Sequence, residues 1–290
     1  MALVIADSAR ADRRSEPQQA RACSFVRLLG HRFQSNDRSL PRTLRLCLPG
    51  RVHCSLMIHD GKSPKLPYDT DEALAHLKTR DLKLGALIDR VGAFKLHLDP
   101  LPSLFESLLE SILYQQLHGK AAATIHARVR AIYGGDPAPQ LLLDTPVEIL
   151  RAAGVSGNKI KAFRDLAART LDGTVPSNAA LGKMSDAEIV ERLTEVRGIG
   201  PWTVEMLLIF RLGRPDVLPV TDYGVRKGYA LTFQRVPKTR PLASKDLPRP
   251  DAVFKRGLRW APFRSVASWY LWRACDLTKE PPPAAQSSLQ

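Results

Sequence analysis

Cysteine is scarce and unpatterned. Cys23, Cys47, Cys54 and Cys275 are scattered, none belongs to a CxxC pair, and only one lies beyond residue 54. This argues against a disulfide framework or a cysteine-based metal site, and it fits a reducing compartment. Long apolar runs are missing too. Nothing approaches the roughly 18 residues that a membrane span needs, and no apolar signal segment follows a basic start. The expectation is a soluble intracellular chain, cytoplasmic or nuclear according to the cell, with no membrane partner. Acid is in short supply: 29 Asp and Glu stand against 43 Lys and Arg, a net charge of +14. A polyanion such as nucleic acid is therefore the first partner to consider. Alternating strand patterns of convincing length are also lacking, whereas 44% hydrophobic residues in a chain of 290 suffice for a core.

Residues 1–66 differ from the rest. They hold twelve Lys and Arg against five Asp and Glu, with dispersed Ser, Pro and Gln and no sustained period, so a poorly ordered basic tail is expected. Met57 stands just before the ordered pattern and is a candidate for the true start. The remaining 224 residues still carry 31 basic against 24 acidic side chains, so the basic character does not depend on the tail. Residues 280–290 read as a frayed end.

From Asp69 onward the punctuation is helical. Asp69/Glu72, Ser103/Glu106, Thr145/Glu148 and Ser185/Glu188 have capping-box spacing, and Pro146 would occupy the first position of the helix that Thr145 starts. After Ser103, the residues Leu104, Phe105, Leu108, Leu109, Ile112 and Leu113 fall at helical spacing. The fold class is all-α.

The stretch "VRGIGPWTVEMLLIFRLGRPDVLPVTDYGV" (196–225) joins two of these helices. The first runs from Ser185 to about Val196, "RGIG" breaks it, and Pro201 restarts a second that ends near Leu212: a helix-hairpin-helix. Gly198 and Gly200 permit a tight turn whose backbone can lie against a phosphate, with Ile199 plugging inward. The N–H groups opening the second helix, Thr203 in its first turn included, suit a phosphate oxygen whatever the base sequence. "AAGVSGNKI" (152–160) is a weaker glycine-broken connection, with Lys159 and Lys161 as phosphate candidates.

The run "LTEVRGIGPWTVEMLLIF", followed by "LPVTDYGVRKGY", resembles the helix-hairpin-helix, Gly/Pro-rich loop and aspartate signature of the HhH-GPD base-excision DNA glycosylases. "LFESLLESILYQQLHGKAAATIHARV" and "WAPFRSVASWYLWRA" are similar to its alkylpurine branch, the 3-methyladenine DNA glycosylase II family. The resemblance covers roughly residues 70–277. It implies two helical subdomains flanking a DNA cleft within 67–279, a central bundle from about 103 to 213 and a second formed by 69–98 with 220–277. The 66 preceding residues do not read as the β-rich N-terminal domain of the best-known bacterial type, so the compact helical version is the better match.

By this resemblance Asp222 is the catalytic aspartate. It precedes an expected helix, whose N-terminus favours a negative charge there. It could stabilise a positive sugar or activate water. Trp202 stands where bifunctional relatives carry a lysine, and an indole cannot form a Schiff base, so a monofunctional hydrolase is implied. Trp202, Trp272, Tyr114 and Tyr223 are base-pocket candidates, because purines alkylated at N3 or N7 are cationic and suit π faces. Met206 occupies a position where some relatives have an aromatic, and Trp260 and Trp269 are assigned to the core. Gln116, Leu117 and His118 are alternatives for the wedge that replaces a flipped nucleotide; Lys120 and Arg226 are phosphate candidates. Asp216 serves as a loop acid without a role. The cysteine-rich loop of an iron–sulfur branch is absent from the sequence, and no side-chain metal site or cofactor is expected. The resemblance allows a monovalent cation at the hairpin's backbone carbonyls. The implied partner is double-stranded DNA with alkylated bases, bound by a monomer. Alternatives are a noncatalytic helix-hairpin-helix DNA-binding module and a glycosylase of different base specificity or lyase activity.

Overall fold

The computed structural model describes residues 64–236, 240 and 242–277. The expected basic tail therefore lies outside the described residues up to residue 63, as do Met57 and residues 280–290. Among the described residues there is no strand, and no helix is long and apolar enough to cross a membrane.

Thirteen α-helices are described: α1 (Thr70–Arg80), α2 (Leu82–Val91), α3 (Leu104–Tyr114), α4 (Gly119–Tyr133), α5 (Pro139–Asp144), α6 (Val147–Ala152), α7 (Gly157–Leu171), α8 (Asn178–Leu181), α9 (Asp186–Thr194), α10 (Pro201–Phe210), α11 (Tyr223–Phe233), α12 (Pro250–Gly257) and α13 (Arg264–Leu277). Their principal contacts fall into two sets. In one, α3, α5 and α6 pack around α7, and α4 packs against α3; in the other, α11 lies along α13, and both meet α2; α9 lies beside α10. Leu104, Phe105, Leu108, Leu109, Ile112 and Leu113 are all buried, as their spacing predicts.

Helix starts follow local chemistry, with one exception. Ser185 and Glu188 form the complete reciprocal capping box, whereas Asp69 and Ser103 accept backbone N–H bonds without Glu72 or Glu106 closing the box at the cap's own backbone N–H. The box expected at Thr145/Glu148 does not form. The Thr145 hydroxyl donates backward to the Leu141 carbonyl at 2.7 Å, ending α5, and α6 begins after Pro146, one residue later than the pattern implies. A threonine hydroxyl can end one helix as readily as start the next, and the short α5 preceding it was not legible.

Asp81 fastens α1 and α2 to α12 and the turn that follows it. It ends α1 and caps α2, and its buried carboxylate accepts two bonds from Arg256 (2.8 and 2.7 Å) and one from Trp260 Nε1 (3.0 Å). Burial alone would raise its pKa, but the hydrogen bonds from Arg256 and Trp260 hold it below the usual carboxylate value.

The second fastening places the loop after α10. Asp216 makes a two-pronged ion pair with Arg264 at 2.6 and 2.8 Å, and Ser265 Oγ donates to the Arg214 carbonyl and accepts from the Val217 N–H. Asp216 is thus a structural residue, and not the role-free acid of the sequence reading. It binds the loop to the start of α13 and so delivers the chain to Asp222.

Candidate active site

Asp222 lies where three helices converge. It is the N-cap of α11, and Oδ1 accepts the Val225 N–H at 2.7 Å, which closes the first turn. The same oxygen accepts Trp272 Nε1 from α13 at 2.8 Å, and Oδ2 accepts Trp202 Nε1 from α10 at 2.8 Å. The residue is only 3% exposed. A carboxylate has about four lone-pair sites. Oδ1 is filled by two donors, and Oδ2 keeps one acceptor position.

Close helix packing makes this convergence possible. A Cβ on Gly224 would stand 2.6 Å from Trp272 Cδ1, and one on Gly228, a turn later, would stand 1.9 Å from the Leu271 carbonyl oxygen. Only glycine lets α11 approach α13 this closely. Trp272 also packs against Phe210 of α10, with ring centroids 5.5 Å apart.

The hairpin sits on the same helix as Trp202. Gly198 has φ +83°, the left-handed region that glycine favours; Gly200 is extended, at φ −102° and ψ 171°. Only the first of the two glycines therefore takes a positive φ. Ile199 is buried as expected, and Gly198 is exposed. The first hairpin helix ends at Thr194, two residues earlier than the sequence suggests, because Val196 and Arg197 enter the turn: the Ile199 N–H bonds back to the Val196 carbonyl, and the Arg197 N–H to Asp165 of α7.

Several candidates occupy places other than those their residue types suggest. Trp202 is half-buried and Trp272 buried, and the indole N–H of each is directed to Asp222, so both orient the carboxylate whatever their ring faces meet. Tyr114 is buried in α3 with its ring edge-on to His126, and Tyr223 is half-buried at the start of α11. Thr203 is buried, and its N–H bonds to the Gly200 carbonyl, so its amide is already engaged within the turn. Arg226 braces the 240s loop by donating Nε to the Pro248 carbonyl. Lys159 turns inward, away from any phosphate role. Lys120, Gln116, Leu117 and His118 are exposed, and Met206, Trp260 and Trp269 are buried.

Glu205 was missed. It follows Trp202 by one turn of α10, half-buried, with Oε2 buried and without a hydrogen-bond partner. Its one signal was an acid within an otherwise apolar helix. It lines a cleft of about 400 Å³ together with Asp186 and Glu191 of α9 and with Asp216. Arg214 and Arg264 are already paired, with Asp186 and Asp216 respectively. Burial, and then the Asp222 charge, push the Glu205 carboxyl from 4.5 up to about 7. The unfolded chain ionises this group earlier. Its stabilising protonated form is thus fully present below 4.5 and is lost as the pH rises through about 7. Glu205→Gln should melt higher than the parent at about pH 8 and nearly with it in acid, by scanning calorimetry across pH. A melting difference that does not change with pH would contradict this assignment.

A glycine hairpin facing solvent, with a three-donor aspartate one helix away, defines a helix-hairpin-helix domain with a buried carboxylate site. The chain belongs to the HhH-GPD superfamily of base excision DNA repair proteins, whose pattern it matches over residues 109–247. It is 38% identical over 213 residues to DNA-3-methyladenine glycosylase 1 of Schizosaccharomyces pombe, covering 71% of this chain and 88% of that one. The structure of S. pombe 3-methyladenine DNA glycosylase in complex with abasic DNA aligns with a TM-score of 0.61 at 36% identity, over 73% of this chain and all of that one. A DNA-3-methyladenine glycosidase from Bacillus halodurans aligns with a TM-score of 0.63 at 32% identity, over 73% and 94% of the two chains.

Proposed function

We propose that this protein is a monofunctional DNA glycosylase that extrudes N-alkylated purines such as 3-methyladenine and 7-methylguanine from double-stranded DNA and removes them by hydrolysis. The observation that carries the reading is the Asp222 carboxylate, fixed by two indole N–H groups and one backbone N–H beside the hairpin. The relatives' names, and the DNA in one of their structures, support DNA as the partner.

The chemistry follows from charge. An alkylated purine is cationic, so when its C1′–N bond breaks, the bonding pair neutralises the base and leaves positive charge on the sugar. An oriented carboxylate stabilises that charge without reorganising. Water then bonds to C1′ and releases a proton. With three acceptor positions occupied, Asp222 offers only the remaining one on Oδ2, which favours electrostatic stabilisation as its main role. The turn at exposed Gly198 and half-buried Gly200 holds a phosphate, with Lys120 as an auxiliary cation. Trp202 and Tyr223 border the extruded base. The protein acts as a monomer, without a catalytic metal or iron–sulfur cluster, and any monovalent cation sits at the hairpin carbonyls.

Trp202 supplies no amine, so borohydride added during turnover should trap no covalent protein–DNA adduct, and the strand should stay intact until alkali cleaves the abasic site. A trapped adduct would replace this reading with a glycosylase/lyase.

A further inference from the structure

Between α3 and α4 the chain exposes Gln116, Leu117 and His118 in succession. Gln116 has φ +60°, the one positive φ outside glycine among the described residues. A glutamine persists in this left-handed conformation only where its surroundings enforce it. Two side chains do so. Lys159 of α7 reaches across to donate Nζ to the carbonyls of Leu113 (2.6 Å) and Gln115 (2.8 Å), capping the negative end of α3. Gln115 Nε2 donates to the carbonyl of Gly198 in the hairpin at 2.8 Å. Burial pushes the Lys159 pKa down, so the ammonium is held at some desolvation cost, with backbone carbonyls as its hydrogen-bond partners. The Leu117 N–H closes the turn on the Tyr114 carbonyl at 3.4 Å, and beneath the loop a cleft of about 170 Å³ separates it from the α6–α7 connection.

We infer that Lys159 is a positioning residue for base extrusion: through Gln115 it locks the exposed Gln116–His118 loop to the hairpin, so that loop insertion and phosphate capture occur at one fixed separation. This rests on the glycosylase reading, but it concerns opening of the duplex and not bond cleavage. The strained loop would then enter the duplex already in its working shape, and its ordering would not be drawn from binding energy.

Lys159→Met, Lys159→Arg and Gln115→Leu test it. Single-turnover base release is measured on a lesion in a matched pair and on the same lesion opposite a mismatch, where unpairing costs less. Unstacking of a 2-aminopurine beside the lesion is followed by fluorescence. Lys159→Met should lower release from the matched pair about tenfold or more, yet lower mismatch release only about threefold or less, with a weakened fluorescence rise. Lys159→Arg, whose guanidinium can donate to both carbonyls, should recover most of both signals. Equal losses on the two substrates, or an undiminished fluorescence rise, would overturn the inference. If Lys159→Met does not fold, Gln115→Leu carries the same comparison. A parent protein that releases no base fails the glycosylase reading instead, and the fluorescence comparison still decides the loop's role.

Discussion

Asp222→Asn should lower the single-turnover rate of base release by about 10²–10³-fold while leaving DNA affinity nearly unchanged. The substitution removes the charge opposite the developing cation and preserves the side chain's shape. It also breaks one hydrogen bond. Because Oδ1 accepts from both Val225 and Trp272, the asparagine oxygen should take that place, leaving its NH2 to face the Trp202 indole N–H. Two donors then meet, at a cost of about 1–3 kcal/mol. A modest fall in melting temperature should accompany the catalytic loss. Asp144→Asn is a suitable control because Asp144 is exposed and bonded only to the Gln140 side chain in the structure. Asp216→Asn would be a poor one, since its ion pair with Arg264 holds the loop that delivers Asp222. Release by Asp222→Asn at the parental rate would remove Asp222 from the mechanism.

Gly228→Ala should be the most damaging single-methyl change. The new Cβ would lie 1.9 Å from the Leu271 carbonyl oxygen and 2.5 Å from its carbon. No rotamer relieves a contact between Cβ and backbone, so α11 and α13 must move apart. Overpacking costs typically 1–3 kcal/mol, and a backbone clash of this depth should reach about 3 kcal/mol or more. At roughly 2–4 °C per kcal/mol, that lowers the melting temperature by about 6–12 °C. Activity should fall further than stability does, since α11 carries Asp222 and α13 carries Trp272. Gly173→Ala separates clash from strain: Gly173 has φ +85° but nothing within 4 Å of a new Cβ. It should cost only about 1–2 kcal/mol. Melting of Gly228→Ala with the parent in calorimetry would contradict the close helix crossing.

What the sequence revealed was mostly local. A cap connects residues three apart and an apolar stripe connects residues three or four apart, so the helices from Ser103 and Ser185, the hairpin with buried Ile199, and the helix following Asp222 could all be read in advance. What it concealed joins distant positions. Lys159 was a surface cation until its ammonium met carbonyls 44 and 46 residues away. Arg226 was a phosphate candidate, and nothing near it in the chain announced that its Nε would also hold the Pro248 carbonyl. Asp216 had no role until Arg264 arrived from 48 residues further on. The family resemblance could suggest that Trp202 and Trp272 belong near Asp222, but a π face and an N–H donor lie on the same ring. Only the crossing of α10, α11 and α13 decides which of them meets the carboxylate.

The most direct measurement uses the full chain and N-methylated double-stranded DNA, with the released material identified by chromatography. Free 3-methyladenine or 7-methylguanine, appearing as alkali-labile sites accumulate in an unbroken strand, is the predicted result. Salt-sensitive binding of the same DNA with no base released would contradict the account and leave a noncatalytic DNA-binding domain in its place.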